Sequence, residues 1–232
     1  MEIFKHQREL ILSEFYANNW VWDNQNKSSD VHLSNDKKSA YFYTDPVDLS
    51  TGTAGVRGNK ALNDGEHYWE IVFLEPPCGT SVMMGVGTKN ATLQTNNYKY
   101  VNLIGIDQES WGLSYKGRIY HNGESWKYCD PIYDEGTVIG CHLNTYLGTL
   151  TFYRNGVNMG VAFYDRRLQQ RQLYPLVSST ASETELGIGR SYCRHISLRE
   201  KCCSIIRNNL SCNDMVDTLP LPNIVKSQIK MA

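Results

Sequence analysis

The chain of 232 residues lacks a Cys-x-x-Cys pair, histidines at metal-ligand spacing, a Gly-x-Ser-x-Gly elbow and any long uninterrupted apolar run. Each absence removes a class of function. Structural zinc modules pair close ligands twice, whereas Cys193-x-His195 with Cys202, Cys203 and Cys212 offers no such pairing, so no metal or cofactor is expected. Without the strained serine turn there is no sign of an α/β-hydrolase nucleophile. Asp107 with Glu109, and Glu66 with Glu70, are the acid/base pairs one could imagine, but carboxylates two to four positions apart near turns are ordinarily solvated, and no reaction centre can be named. Charge of one sign is also missing, because 23 basic residues face 24 acidic ones. Arg166-Arg167 and Arg171 are too sparse for a nucleic-acid footprint. Glu2, Lys5, His6, Arg8, Glu9 and Glu14 interrupt residues 1–20, so neither a signal peptide nor a membrane span is expected. The seven scattered cysteines then read as reduced thiols, and the location as cytoplasmic or nuclear.

What the chain does hold is aromatic and turn-rich: 15 tyrosines, 5 tryptophans and 18 glycines. Residues 4–17 have loose helical spacing (Phe4, Leu10, Ile11, Phe15) and predict a short helix. From Trp20 onward, short apolar runs recur every 8 to 12 residues or so between turns, the pattern of an antiparallel sandwich or barrel. Strands are expected at 20–22, 39–43, 52–58, 67–73, 81–88, 103–106, 111–115, 118–121, from 138, at 150–152, 157–163, 174–177 and 185–189. Polar residues 24–29 read as a turn and 124–135 as irregular, while Asn155-Gly156 reads as a tight hairpin turn, since both residues tolerate positive φ.

The tail is different. Ser197 and Glu200 have the spacing of a capping box, and Leu198, Cys202, Ile206 and Leu210 then recur every fourth residue along one helical stripe, widened by Ile205. Met215, Val216 and Leu219-Pro220-Leu221-Pro222 follow, then a last short helical pattern through Ile224, Val225 and Ile229. A piece of about 35 residues is below the size that usually stands without help.

Ser197, Leu198, Cys202 and Ile206, followed by Leu219 to Pro222, resemble the SOCS box, a three-helix adaptor module. In the body, Gly65-Glu66-His67-Tyr68-Trp69-Glu70, Ser110-Trp111-Gly112-Leu113, the run from Gly148 to Gly156, and Leu173-Tyr174-Pro175-Leu176-Val177 resemble the SPRY domain. The order of the two is that of the SPRY domain-containing SOCS box protein family. The resemblance implies a mainly β fold, a bent two-sheet antiparallel sandwich of SPRY (B30.2-like) type with a small C-terminal three-helix box. It divides the chain into a helical segment at 1–18, a SPRY domain at 19–193 and a SOCS box at 194–232.

The resemblance also implies a function and a site for each part of it. The chain would be a non-catalytic substrate receptor of a ubiquitin ligase, directing a target to ubiquitination and proteasomal degradation. Leu198, Cys202 and Ile206 would bind elongin C, and through it elongin B; Leu219, Pro220, Leu221 and Pro222 would engage cullin-5 and its RING-box partner. Gln228-Ile229 replaces a family tyrosine-leucine, which predicts weaker cullin engagement. Pro46, Gly79, Thr80, Tyr100, Leu103 and Thr180 would hold a short, asparagine-containing peptide of the substrate. A relative's arginine falls at Thr44 and a tryptophan at about Ala181, so an acidic-start peptide is expected to bind poorly. The alternative is a SPRY-type scaffold outside any ligase, with the tail as a packing helix.

Overall fold

A computed structural model describes residues 15–43, 52–95, 99–195, 197–210, 212 and 214–231. It has two compact units, Met1–Arg194 and His195–Ala232. The described residues of the first contain β1 (Tyr16–Ala17), β2 (Trp22–Lys27), β3 (Val31–Leu33), β4 (Ser39–Phe42), β5 (Thr53–Gly58), β6 (Glu66–Phe73), β7 (Val82–Gly87) and β8 (Gln94–Thr95). They continue with β9 (Ser110–Ser114), β10 (Arg118–His121), β11 (Glu124–Lys127), β12 (Val138–Asn144), β13 (Thr149–Arg154), β14 (Val157–Tyr164), the single turn α1 (Arg167–Gln170), β15 (Tyr174–Ser179) and β16 (Thr184–Arg194).

Two antiparallel sheets result. One runs β14-β13-β12-β6-β16-β4-β3 with β1 added to β16, and the other runs β11-β10-β9-β7-β15-β5-β2 with β8 added to β5. Alternation sets the shared core: Trp69, Ile71 and Phe73 of β6 and Ile139, Cys141 and Leu143 of β12 face Val82, Met84 and Val86 of β7 and Trp111 and Leu113 of β9. The second sheet is covered on its outer face too. Met83 and Leu176 meet Ala91 and Ile104 there, so β7 is buried along its whole length and does not read as alternating.

Several local expectations change. Residues 24–27 belong to β2, since an edge strand that pairs with β5 on one side leaves polar side chains in water. Residues 103–106 form a turn, with Gly105 at φ +91° beneath the Tyr120 carbonyl, and their apolar character comes from covering the second sheet rather than pairing in it. Residues 124–127 are β11, folded back on β10 through Asn122 (φ 52°) and Gly123 (φ 77°). Of the segment expected as an N-terminal helix, residues 1–14 lie outside the described part; Tyr16–Ala17 are strand, because the long β16 offers them an open edge.

The second unit holds α2 (Leu198–Asn208), α3 (Met215–Thr218) and α4 (Asn223–Met231). The capping box is present in both directions: the Ser197 hydroxyl accepts from the Glu200 amide at 3.2 Å, and the Glu200 carboxylate accepts from the Ser197 amide at 2.8 Å. Cys203, Val216 and Ile229 are buried together, with Ile206, Leu210, Leu219, Leu221 and Val225 packed around them. Arg207 ties α2 to α4 by donating to the Lys230 carbonyl at 2.6 Å.

Candidate functional site

Register places four strand ends side by side. Ala54 pairs with Ser179, Ser179 with Val82, and Met83 with Ser114, so the start of β5, the end of β15, the start of β7 and the end of β9 meet at one end of the second sheet. Gly79 lies there at φ +76°, and a Cβ on it would come within 2.8 Å of the Ala181 Cβ. Glycine is required for both reasons. Its carbonyl accepts a 2.6 Å hydrogen bond from the Tyr115 hydroxyl. Thr180 is buried and locks the neighbouring chain: its hydroxyl accepts from the Ser81 amide at 2.8 Å and donates to the Ser81 carbonyl at 3.1 Å. On the β5 side, the Thr53 hydroxyl donates to the Lys99 carbonyl at 2.7 Å and accepts from the Val101 amide at 3.0 Å, which presents Tyr100 to solvent, 40% exposed.

Of the residues expected to hold a peptide, Gly79, Thr80 and Tyr100 are exposed at this end, whereas Thr180 and Leu103 are buried. Leu103, at 1% exposure, lies against Gly55 on the outer face of the sheet and shapes the end from beneath. Pro46 and Thr44 lie outside the described residues. Sequence reasoning passed over Tyr115, Lys116 and Tyr133. Tyr133 meets the Tyr115 ring edge-on at 5.9 Å between centroids, and the Lys116 ammonium is 5.5 Å from the same ring. The available signal was position alone, since Tyr115 closes a strand whose end adjoins Gly79 only in the folded sheet.

In the second unit the stripe divides. Leu198 (77% exposed), Cys202 and Ile205 (59% exposed) face solvent at i, i+4 and i+7, while Cys203, Ile206 and Leu210 turn to the small core. Ile206 is thus half-buried against that core, and Ile205 lies on the open face. In Leu219-Pro220-Leu221-Pro222 the leucines pack inward and the prolines are exposed.

The carboxylates considered for acid/base work are held by structural partners. Glu66 accepts from His142 at 3.3 Å and Arg194 at 2.7 Å, and these bonds, the His142 one foremost, lower its pKa to about 2 against the opposing effect of burial. Glu70 accepts from the Arg190 amide and from its guanidinium Nε and Nη2 at 2.7 to 3.1 Å, across the bulge between Ile188 and Ser191. Burial pushes the Glu70 pKa up, but the Arg190 bonds win and it ends below the ordinary value. Glu109 is lowered by the Thr88 hydroxyl first and by Arg171, 2.8 Å away. A general acid needs a raised pKa, and these three groups have the opposite. No helix among the described residues is long and apolar enough to cross a membrane.

Comparison with known proteins fits this geometry. SPRY domain-containing SOCS box protein 3 of Xenopus laevis is 40% identical over 204 residues, 88% of this chain and 55% of that protein, and the Xenopus tropicalis protein of the same name is 39% identical over the same shares. F-box/SPRY domain-containing protein 1 of Drosophila melanogaster is 34% identical over 175 residues, 72% of this chain and 65% of that protein. The chain spans about half the length of the Xenopus relatives it matches. Among solved structures, the human HERC1 SPRY domain superposes with a TM-score of 0.58 at 17% identity, covering 73% of this chain and 97% of that one. The TRIM65 PSpry domain superposes with a TM-score of 0.60 at 20% identity, covering 79% and 95%. Both show the same two-sheet fold. The SPRY domain family itself matches residues 66–189, from the start of β6 into β16, and this chain belongs to it.

Proposed function

We propose that the chain is the substrate-recognition subunit of a SOCS-box ubiquitin ligase, with a sandwich (19–193) that selects the target and a tail (194–232) that docks the ligase. The observation that carries this reading is the open stripe Leu198, Cys202, Ile205 on a helix capped at its start and anchored by its opposite face. A module with so small a core does not spend three apolar side chains on water without a partner. An i, i+4, i+7 stripe suits insertion into an apolar groove, and elongin C, paired with elongin B, is the partner implied by the relatives' SOCS box names. Cullin-5 with a RING-box protein would then engage the turn at Pro220 and Pro222.

The protein would perform no bond chemistry itself. Holding a target near a loaded ubiquitin-conjugating enzyme raises the effective concentration of its lysines, which is catalysis by proximity. The target would present a short asparagine-containing segment to the loop end around Gly79, Thr80 and Tyr100. Co-purification with elongin B and C from cells expressing the chain tests the reading: capture by wild type and its loss in Leu198→Ser/Cys202→Ser are expected. Equal capture by both would show that the open stripe is not the docking face, and capture by neither would leave the chain a SPRY-type scaffold.

A further inference from the structure

At the end of the sandwich opposite Gly79, a cleft of about 380 Å³ opens between three loops. Leu62 bridges to Leu173 just before β15, and Thr145 follows β12, whose last residue Asn144 pairs with Glu66, so the cleft lies where β15 and β6 begin and β12 ends. Its walls are tied to one another. The Thr145 hydroxyl accepts from the Gly65 amide at 2.9 Å and donates to the Gly65 carbonyl at 3.0 Å, which fixes the loop carrying Asn63 and Asp64. From α1, the Gln169 side-chain amide donates to the Tyr146 carbonyl at 2.8 Å. Arg171 is held by the Glu109 carboxylate at 2.8 Å and the Gln108 carbonyl at 3.3 Å. The polar groups left over are Asn63, Asp64, Gln170 and Gln172, all exposed, whose side chains make no hydrogen bond or ion pair among the described residues. Buried Leu62 supplies the apolar part of the lining.

We propose that this cleft takes the arginine side chain of a protein partner, its guanidinium against the Asp64 carboxylate and the amide oxygens of Asn63, Gln170 and Gln172. Charge selects the sign of the ligand. The cation in the lining, Arg171, is neutralised by Glu109, so Asp64 leaves the cleft with one uncompensated negative charge, and an anion would meet repulsion there. The spread of acceptors selects the group. Asp64 and Asn63 stand on one loop and Gln170 and Gln172 on another, so a planar fork of five donors with no acceptor can be met from both sides, whereas a lysine ammonium is a point charge met from one. Leu62 offers a surface for the aliphatic stem. Because the acceptors are exposed, the cleft is open on their side, which suits a side chain reaching in from a main chain that stays outside. The cleft would serve a ligase subunit and a scaffold alike.

The full chain is titrated by fluorescence polarisation with labelled Gly-Gly-X-Gly-Gly peptides in which X is arginine, lysine or citrulline, the last a neutral isostere of arginine. Arginine is expected to bind about tenfold more tightly than citrulline, the size of a charge-assisted hydrogen bond, and more tightly than lysine. Asp64→Asn should bring the arginine peptide down to the affinity of the citrulline peptide, and Gln170→Lys, which places a cation of the chain's own in the cleft, should remove arginine binding. Both positions are exposed, so both variants should melt as wild type does. Tyr100→Ala, at the other end of the sandwich, should change none of these affinities. Equal binding of arginine and citrulline, an arginine preference that survives Asp64→Asn, or no binding of the arginine peptide at millimolar concentration would each overturn the proposal. Free L-arginine matching the arginine peptide would overturn the assignment to a protein partner.

Discussion

The Tyr115 hydroxyl donates a 2.6 Å hydrogen bond to the carbonyl oxygen of Gly79, joining the end of β9 to the loop that leads into β7. A buried ring thereby determines where an exposed loop sits, and the loop's positive-φ glycine leaves no alternative path past Ala181. The shape of this end therefore depends on a bond made beneath its exposed surface.

Tyr115→Phe therefore keeps the ring packing and removes only the bond. A stability loss of about 1 kcal/mol is expected in urea unfolding. Any peptide bound beside Gly79 should lose more affinity than that loss implies, because the loop is freed as well. An unchanged urea midpoint would show that the carbonyl finds water at no cost.

The two faces of α2 should separate cleanly by mutation. Leu198→Ser alters an exposed residue, so the melting temperature should stay within experimental error while elongin capture is lost. Cys203→Ser buries a hydroxyl in the small core at 5% exposure and should destabilise the tail by about 1 to 3 kcal/mol, read as increased proteolysis after Arg194.

Glycine positions give a sharp structural contrast. A Cβ at Gly85 would lie 2.0 Å from the Trp111 carbonyl oxygen, a backbone atom that cannot swing aside, so Gly85→Ala should fail to give folded protein. Gly136 has φ +72° and open space around it, so Gly136→Ala should cost only about 1 kcal/mol of backbone strain, measured by chemical denaturation.

Acid should weaken the sandwich before its carboxylates titrate. His121 is stacked on Trp111 at 4.5 Å, gives its Nδ1 proton to the Ser110 carbonyl at 2.7 Å and accepts at Nε2 from Arg167 at 2.7 Å. Burial, with Arg167 adding to it, lowers its pKa below 6.5, although the Ser110 bond, Asp165 and Asp107 oppose the shift. Between that lowered value and 6.5 the unfolded chain binds more protons, so stability falls as pH drops through the window. The melting temperature of wild type should decline between pH 7 and 5.5, and the decline should flatten in His121→Asn. The contribution of Glu66 is lost only as pH falls below 4.5 toward about 2, outside this window.

Much of the sandwich could be read from the residues, because strand alternation and turn chemistry are local. Asn155-Gly156 turned as expected, at φ 49° and 80°, and the capping box formed as spaced. Local signals failed where burial on a second face changed their meaning. Leu103 and Ile104 look like a strand because they are apolar, yet they are apolar because they cover Gly55 and Gly112.

What the sequence by itself determined was the class of fold, the order of its strands along the chain and the start of the tail helix, since each follows from contacts within a few residues. Tertiary structure decided which strands became neighbours, and through that the site. Tyr115 and Gly79 are 36 positions apart and meet only because β9 pairs with β7. It also chose between Cys202 and Cys203. A helix with apolar residues around much of its circumference has no inner face until Val216 and Ile229 supply one. Their packing turned Cys203 and Ile206 inward and left Leu198, Cys202 and Ile205 exposed.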